Sequence, residues 1–209
     1  MKTMKTMKTI RQIGMLPVIA TAILLTGCAK EEEEVPEEEH EMEVITDVKL
    51  IFTNDNDSND IVYARAQDPD GDGVEDLKIL DSVNLDVSKS YTLTFEIMNN
   101  LETPGEDIGL EIADEDDEHQ IFFSFSNDAF SDPLGNGNID NASDSINYND
   151  VDGNGNPVGL STGWTTASST LTGGTFTVKL QHQPDVKTST STANTGDTDF
   201  ELEFVLNIQ

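Results

Sequence analysis

From Val44 onward, apolar and polar residues alternate with a period of two. Tyr91, Leu93, Phe95 and Ile97 alternate with Thr92, Thr94 and Glu96, and Phe200, Leu202, Phe204, Leu206 and Ile208 alternate with Asp199, Glu201, Glu203 and Asn207. Phe176, Val178 and Leu180 repeat the pattern, as do Val48, Leu50 and Phe52. Successive strand side chains point to opposite faces, so each run predicts a half-buried β-strand. Ile61 to Ala66, Asp76 to Leu80 and Ile121 to Phe125 are further strand candidates, and Gly, Asn, Asp and Ser clusters between the runs read as turns. Seven or more strands with few helical stretches predict an all-β domain over residues 44–209, an antiparallel β-sandwich.

One segment departs from this pattern. Thr103-Pro104-Gly105-Glu106 carries a capping residue, Pro at the first helical position and Glu at the third. Ile108 and Ile112 then recur at helical spacing, followed by the acidic run Asp114 to Glu118. The reading is one short acidic helix. Carboxylates at its C-terminal end oppose the helix dipole, which favours a neutralising cation there.

The N-terminus has a different character. Lys2, Lys5, Lys8 and Arg11 precede an apolar stretch from Ile13 to Leu25, too short to span a bilayer as a mature helix. Leu25-Thr26-Gly27-Cys28 closes it and resembles the lipobox of bacterial lipoproteins. The resemblance implies a signal peptide over 1–27 and lipidation of Cys28, with the membrane as partner through that anchor. The alternative is a plain cleaved signal peptide with the thiol left free. Acylation by two or more chains gives stable anchoring, at about 0.8 kcal/mol per buried CH₂. Residues 28–43 form an acidic tether: Ala29 to Glu43 holds nine Glu and little to pack, so like charges extend it and a disordered segment is expected. At ~3.3–3.6 Å per residue it reaches at most about 50 Å. Lys30 followed by Glu31 to Glu34 loosely resembles a surface-export signal of some Gram-negative lipoproteins, with a simple spacer as the other reading.

Without residues 1–27, the chain has seven basic and 41 acidic residues, a net charge of −34. This excludes nucleic acid and anionic head groups as partners and favours cations. It also serves solubility. Cys28 is the only cysteine, so its lipidation leaves none for a disulfide or a thiolate metal site.

Oxygen and imidazole donors remain. Asp68, Asp70, Asp72 and Asp76, with Gly73 at the turn, match the alternate-carboxylate spacing of calcium loops, although Ile79 stands where an EF-hand has its bidentate Glu. An ordinary hairpin connection is the alternative. Asp150-Val151-Asp152-Gly153-Asn154-Gly155-Asn156 is a poorer version, better read as a turn, and Asp55, Asp57 and Asp60 are free to supply either loop or neither. His182 continues the inward register of Phe176, Val178 and Leu180, and His119 shares the parity of Ile121, Phe123 and Phe125. With Glu115, Asp116 or Glu118 beside them, they suggest a His/His/carboxylate site for zinc or copper, should the two histidines meet. His40 lies among the Glu residues of the tether and reads as solvated. Gly159-Leu160-Ser161-Thr162-Gly163 matches the nucleophile-elbow pattern, but the Ser/Thr/Gly-rich stretch after it does not read as the required helix. No catalytic residues are assigned and no enzyme is expected.

Asn100-Leu101-Glu102-Thr103-Pro104, Asp117 to Phe122, Gly155 to Leu160 and His182-Gln183-Pro184 resemble a set of small acidic outer-membrane lipoproteins, sometimes labelled with a periplasmic-binding fold, whose genes lie near TonB-dependent receptors. A periplasmic-binding fold needs alternating strands and helices in two lobes, which this chain lacks. The resemblance implies a non-enzymatic lipoprotein of the outer membrane, on its surface or periplasmic face, accessory to an uptake receptor. With the acidic loops and histidines, this gives a divalent-metal-binding accessory protein, calcium first and zinc or copper second. The other class is a structural or adhesive surface module without a small ligand.

Overall fold

A computed structural model describes residues 43–68, 70, 77–101 and 103–209. The expected signal peptide, Cys28, His40 and the expected tether to residue 42 lie outside the described residues, as do Asp72 and Asp76. In chain order the elements are β1 (Asp47–Asn54), β2 (Asp57–Gln67), β3 (Lys78–Ile79), β4 (Val83–Leu85), β5 (Ser90–Met98), α1 (Ile108–Asp114), β6 (His119–Phe125), β7 (Phe130–Asp132), β8 (Asn147–Tyr148), β9 (Ser161–Thr166), β10 (Leu171–His182) and β11 (Asp197–Ile208). They form two sheets. The larger runs β3-β2-β1-β5-β9-β7 with β8 also paired to β9, and the smaller runs β4-β11-β10-β6. Pairing is antiparallel except between β4 and β11. The domain is the expected all-β sandwich with one short helix. Among the described residues no helix is long and apolar enough to cross a membrane.

The core follows from the period-two pattern. Val48, Leu50 and Phe52 of β1, Tyr91, Leu93 and Ile97 of β5, and Phe200, Phe204 and Leu206 of β11 are all essentially inaccessible. Aromatic rings join the sheets: Trp164 of β9 meets Phe176 of β10 at 5.0 Å between centroids, and Phe52 of β1 meets Phe176 at 5.6 Å. Phe123, Phe125 and Phe130 pack on Trp164 at 5.4, 5.4 and 4.8 Å, mostly edge-on, the arrangement aromatic quadrupoles favour. The indole N–H is satisfied by Thr162 Oγ1 at 2.7 Å.

Several elements differ from the sequence reading. The helix starts at Ile108 with Asp107 as its cap, not at Thr103. Asn99 and Glu106 exchange both backbone hydrogen bonds (3.0 and 2.8 Å), and that bridge keeps Glu106 extended. Ile108 and Ile112 are the buried face, as their spacing implied. Strand β9 escaped the alternation because its inward positions include Thr162 and Thr166. Thr166 hides its hydroxyl by donating to the Asp86 carbonyl at 2.7 Å. Strands β4, β7 and β8, of two or three residues each, are too short to carry a period.

Phe176 touches aromatic rings from both sheets, so Phe176→Ala is expected to lower the free energy of unfolding by about 3–5 kcal/mol in denaturant titrations. The exposed position Val205→Ala serves as control, with an expected change within about 0.5 kcal/mol.

Candidate metal centre

Strand β6 begins at His119 and β10 ends at His182, and the antiparallel register sets these two residues directly opposite each other. Their imidazoles stack with centroids 4.6 Å apart and planes within 3°. Both rings are buried, His119 fully. Helix α1 ends beside them: Glu115 is its C-cap, giving its N–H to the Glu111 carbonyl. The chain then makes one turn and enters β6. The Glu115 carbonyl accepts the Glu118 N–H at 2.9 Å and also lies 3.2 Å from His119 Nδ1.

That last contact sets the tautomer. A carbonyl can only accept, so Nδ1 carries the proton and Nε2 presents a lone pair. Among the described residues, His119 Nε2 is buried with no hydrogen-bond partner. Burial drives the His119 pKa down to about 4; the Glu115 carbonyl pulls the other way, while His182 and Lys187 lower it further. The ring is therefore neutral at physiological pH, the form that binds metals. Orientation of a ligand imidazole by a backbone carbonyl on its other nitrogen is a recurrent feature of metal sites.

One donor atom from each of Glu115, His119 and His182 lies within 4.8 Å of the others. Metal–nitrogen bonds of ~2.0–2.1 Å in a tetrahedron imply donor separations of about 3.3 Å, so the three would close in by up to about 1.5 Å, and the stacked rings would turn toward one another, around an ion. His182 Nε2 is 3.5 Å from Glu118 Oε2. Gly196 makes room for this end of β10: at φ +77° it passes so close that a Cβ would collide with the His182 carbonyl oxygen.

The surroundings are strongly anionic. Burial, then the carboxylates of Glu106, Glu43 and Glu115, push Glu111 up to about 7. Burial followed by Glu115 raises Glu43, which His182 lowers. Asp199, the extra residue where the β10–β11 register shifts, is pushed up to about 7 by burial and then by Glu43, while the Glu43 backbone N–H lowers it.

The Asp150–Asn156 loop is built as a turn held from within. Asp152 accepts the Asn154 and Asn156 backbone N–H groups, both at 2.8 Å, and the Asn156 side-chain amide at 3.0 Å. Asp150 accepts from the backbone N–H groups of Gly159 and Ser161. The Lys187 ammonium, 1% exposed, lies 3.4 Å from the fully buried Asp152 carboxylate and donates to the Asp116 carbonyl at 2.5 Å. Lys187 thereby ties this loop to the turn between Glu115 and His119. Burial lowers the Lys187 pKa, and Asp152 is the chief group opposing that.

The remaining predicted positions fall elsewhere. Asp68 is buried, and its Oδ1 accepts the Asp70 N–H at 3.3 Å. Asp60 meets Asn54 and Lys89, Asp55 accepts from Thr92, and Asp57 accepts from Asn59. Gly159–Gly163 leads into strand β9 with Ser161 as its first residue, where the Ser161 hydroxyl accepts from Asn149 at 3.2 Å; a nucleophile elbow would need a following helix. The sequence named the histidines and offered Glu115, Asp116 and Glu118 together. It gave no signal for Glu43, Asp199 or Lys187, which lie far along the chain from the acidic turn.

No protein-family model matches the chain, nor does any curated protein or solved structure.

Two outcomes follow from the electrostatics of the metal-free protein. His119 has a native pKa below its unfolded value near 6.5, so its contribution is intact above pH 6.5 and is lost as pH falls toward 4. Asp199 works oppositely: its native pKa of about 7 lies above its ordinary value of 3.8, so acid favours the fold between these limits. Asp199→Asn is therefore expected to stabilise at pH 8 by about 2–4 kcal/mol, at 1.36 kcal/mol per pKa unit, with the gain vanishing near pH 4 in urea titrations. Lys187→Met strands a buried carboxylate and is expected to cost about 3–5 kcal/mol, most of it recovered in the double variant with Asp152→Asn.

Proposed function

We propose that this domain binds a divalent transition-metal ion, zinc or copper, through Glu115, His119 and His182. The carrying observation is His119 Nε2: a buried lone pair with no hydrogen-bond partner among the described residues, oriented through Nδ1 by the Glu115 carbonyl. Leaving a buried polar atom unpaired costs about 1–3 kcal/mol, and a bound ion would remove that cost. Two imidazoles and one carboxylate without sulfur suit zinc, copper(II) or nickel better than calcium, which takes six to eight oxygens. The crowded carboxylates around the site favour cation entry.

The setting of this activity rests on the sequence. The lipobox-like Leu25-Thr26-Gly27-Cys28, the acidic tether and the resemblance to outer-membrane lipoproteins support a lipid-anchored, non-enzymatic protein that holds metal beside an outer-membrane uptake receptor. The Asp68 loop keeps calcium as the second ion, through Asp68, Asp70, Asp72 and Asp76.

Thermal unfolding of the full chain in chelator, calcium, zinc and copper tests the reading. At about 100 times its dissociation constant an ion adds roughly 2.7 kcal/mol, and for a domain this size that raises Tm by about 5–10 °C. The expected result is a zinc or copper shift absent from His119→Gln and His182→Gln. A shift with calcium alone, lost in Asp70→Ala, would transfer the function to the Asp68 loop. No shift with any of the three would refute tight metal binding.

A further inference from the structure

We propose that Glu118 is the fourth ligand of this centre, completing a closed set with Glu115, His119 and His182 that sequesters the ion rather than presenting it for catalysis. The inference rests on the metal-binding reading and extends it to the coordination sphere and use of the site.

Glu118 Oε2 lies 3.5 Å from His182 Nε2. That is close to the ~3.3 Å donor–donor edge of a tetrahedral zinc site; Glu118 stands outside the three donors within 4.8 Å of one another, so its side chain would swing inward to complete the sphere. The backbone of Glu118 is fixed at both ends: its N–H donates to the Glu115 carbonyl at 2.9 Å, and its carbonyl accepts the Gln183 N–H at 2.5 Å. The second of these bonds ties Glu118 to the residue directly after His182. One turn, Glu115-Asp116-Asp117-Glu118-His119, thus supplies two carboxylates and an imidazole, and β10 supplies the other imidazole. Glu118 is 28% exposed, at the mouth of the site, where a ligand can close over an ion that has entered.

Charge favours the same assignment. Imidazole ligates without charge, so two imidazoles and one carboxylate would leave a divalent ion with a net positive charge in a buried setting. A second carboxylate makes the centre neutral, which a low-dielectric site prefers. Four protein ligands leave no open position, and catalytic zinc sites keep one open for water or substrate.

The experiment loads the full chain with cobalt(II) as a spectroscopic stand-in and measures zinc affinity by chelator competition. Four-coordinate tetrahedral cobalt gives intense visible bands; five- or six-coordinate cobalt gives weak ones. Wild type is expected to show the intense spectrum. Glu118→Gln is expected to weaken the bands and to raise the zinc dissociation constant beyond the ~10–100-fold typical of losing an orienting partner. Glu118→His, able to ligate again, is expected to restore the bands. An unchanged cobalt spectrum in Glu118→Gln, with zinc affinity altered no more than an orienting partner would, overturns the proposal and makes Glu118 a hydrogen-bond partner of His182. Weak bands in wild type overturn it as well, by showing water in the sphere. Absence of any cobalt or zinc binding by wild type would instead refute the metal centre itself. Metal-free Tm values of the variants, expected to match wild type, separate ligand loss from unfolding.

Discussion

The pairing of β6 with β10 joins the packing of the core to the geometry of the candidate centre. It aligns Phe125 with Phe176, Phe123 with Val178, Ile121 with Leu180 and His119 with His182. A slip of one residue would turn every one of these side chains to the other face, so burial of the phenylalanines holds the register that brings the imidazoles together. The packing of the core and the geometry of the candidate centre are therefore one constraint seen at two ends of a strand. Because β6 is an edge strand, it also needs protection from pairing with other chains. The chain supplies this by laying other segments along it: Ile121 donates to the Val158 carbonyl, Phe125 to Asn136, and Asn138 to Phe123. Gly137, at φ +94°, approaches so closely that any side chain would meet the Phe123 carbonyl.

Charge works at a different level. Lys49, Arg65, Lys89 and Lys179 pair with surface carboxylates, contacts worth little individually. Lys187 is taken inside, where it joins the Asp152 loop to the turn of Glu115 and Glu118. Around the histidines, burial and then the neighbouring carboxylates raise the proton affinity of Glu43 and Glu111. A divalent cation there would relieve this repulsion.

The strands of the core were readable because long alternation with strongly apolar inward residues has one structural meaning. Strand β9 was not, since Thr162 and Thr166 face inward and only their hydrogen bonds make them acceptable there. The parity of His119 and His182 placed both on the inner face, but their meeting depends on the β6–β10 register, a long-range pairing that no local pattern encodes. The outer face of the small sheet was equally hidden. Gln181 and Phe122 are buried there although strand alternation predicts exposure. Gln181 donates to the carbonyls of Ala193 and Thr195, so the segment after β10 folds back over it.

Among the described residues, a buried imidazole nitrogen without a hydrogen-bond partner, a bulge holding a buried Asp199 and crowded carboxylates all oppose folding locally. None of them contributes to the aromatic core, which has its own inter-sheet contacts around Trp164 and Phe176. The core can therefore carry these locally unfavourable groups without loss of the fold. Local conflict with an otherwise consistent fold is the expected mark of a functional site. Here it is concentrated where α1 and β10 end and β6 begins.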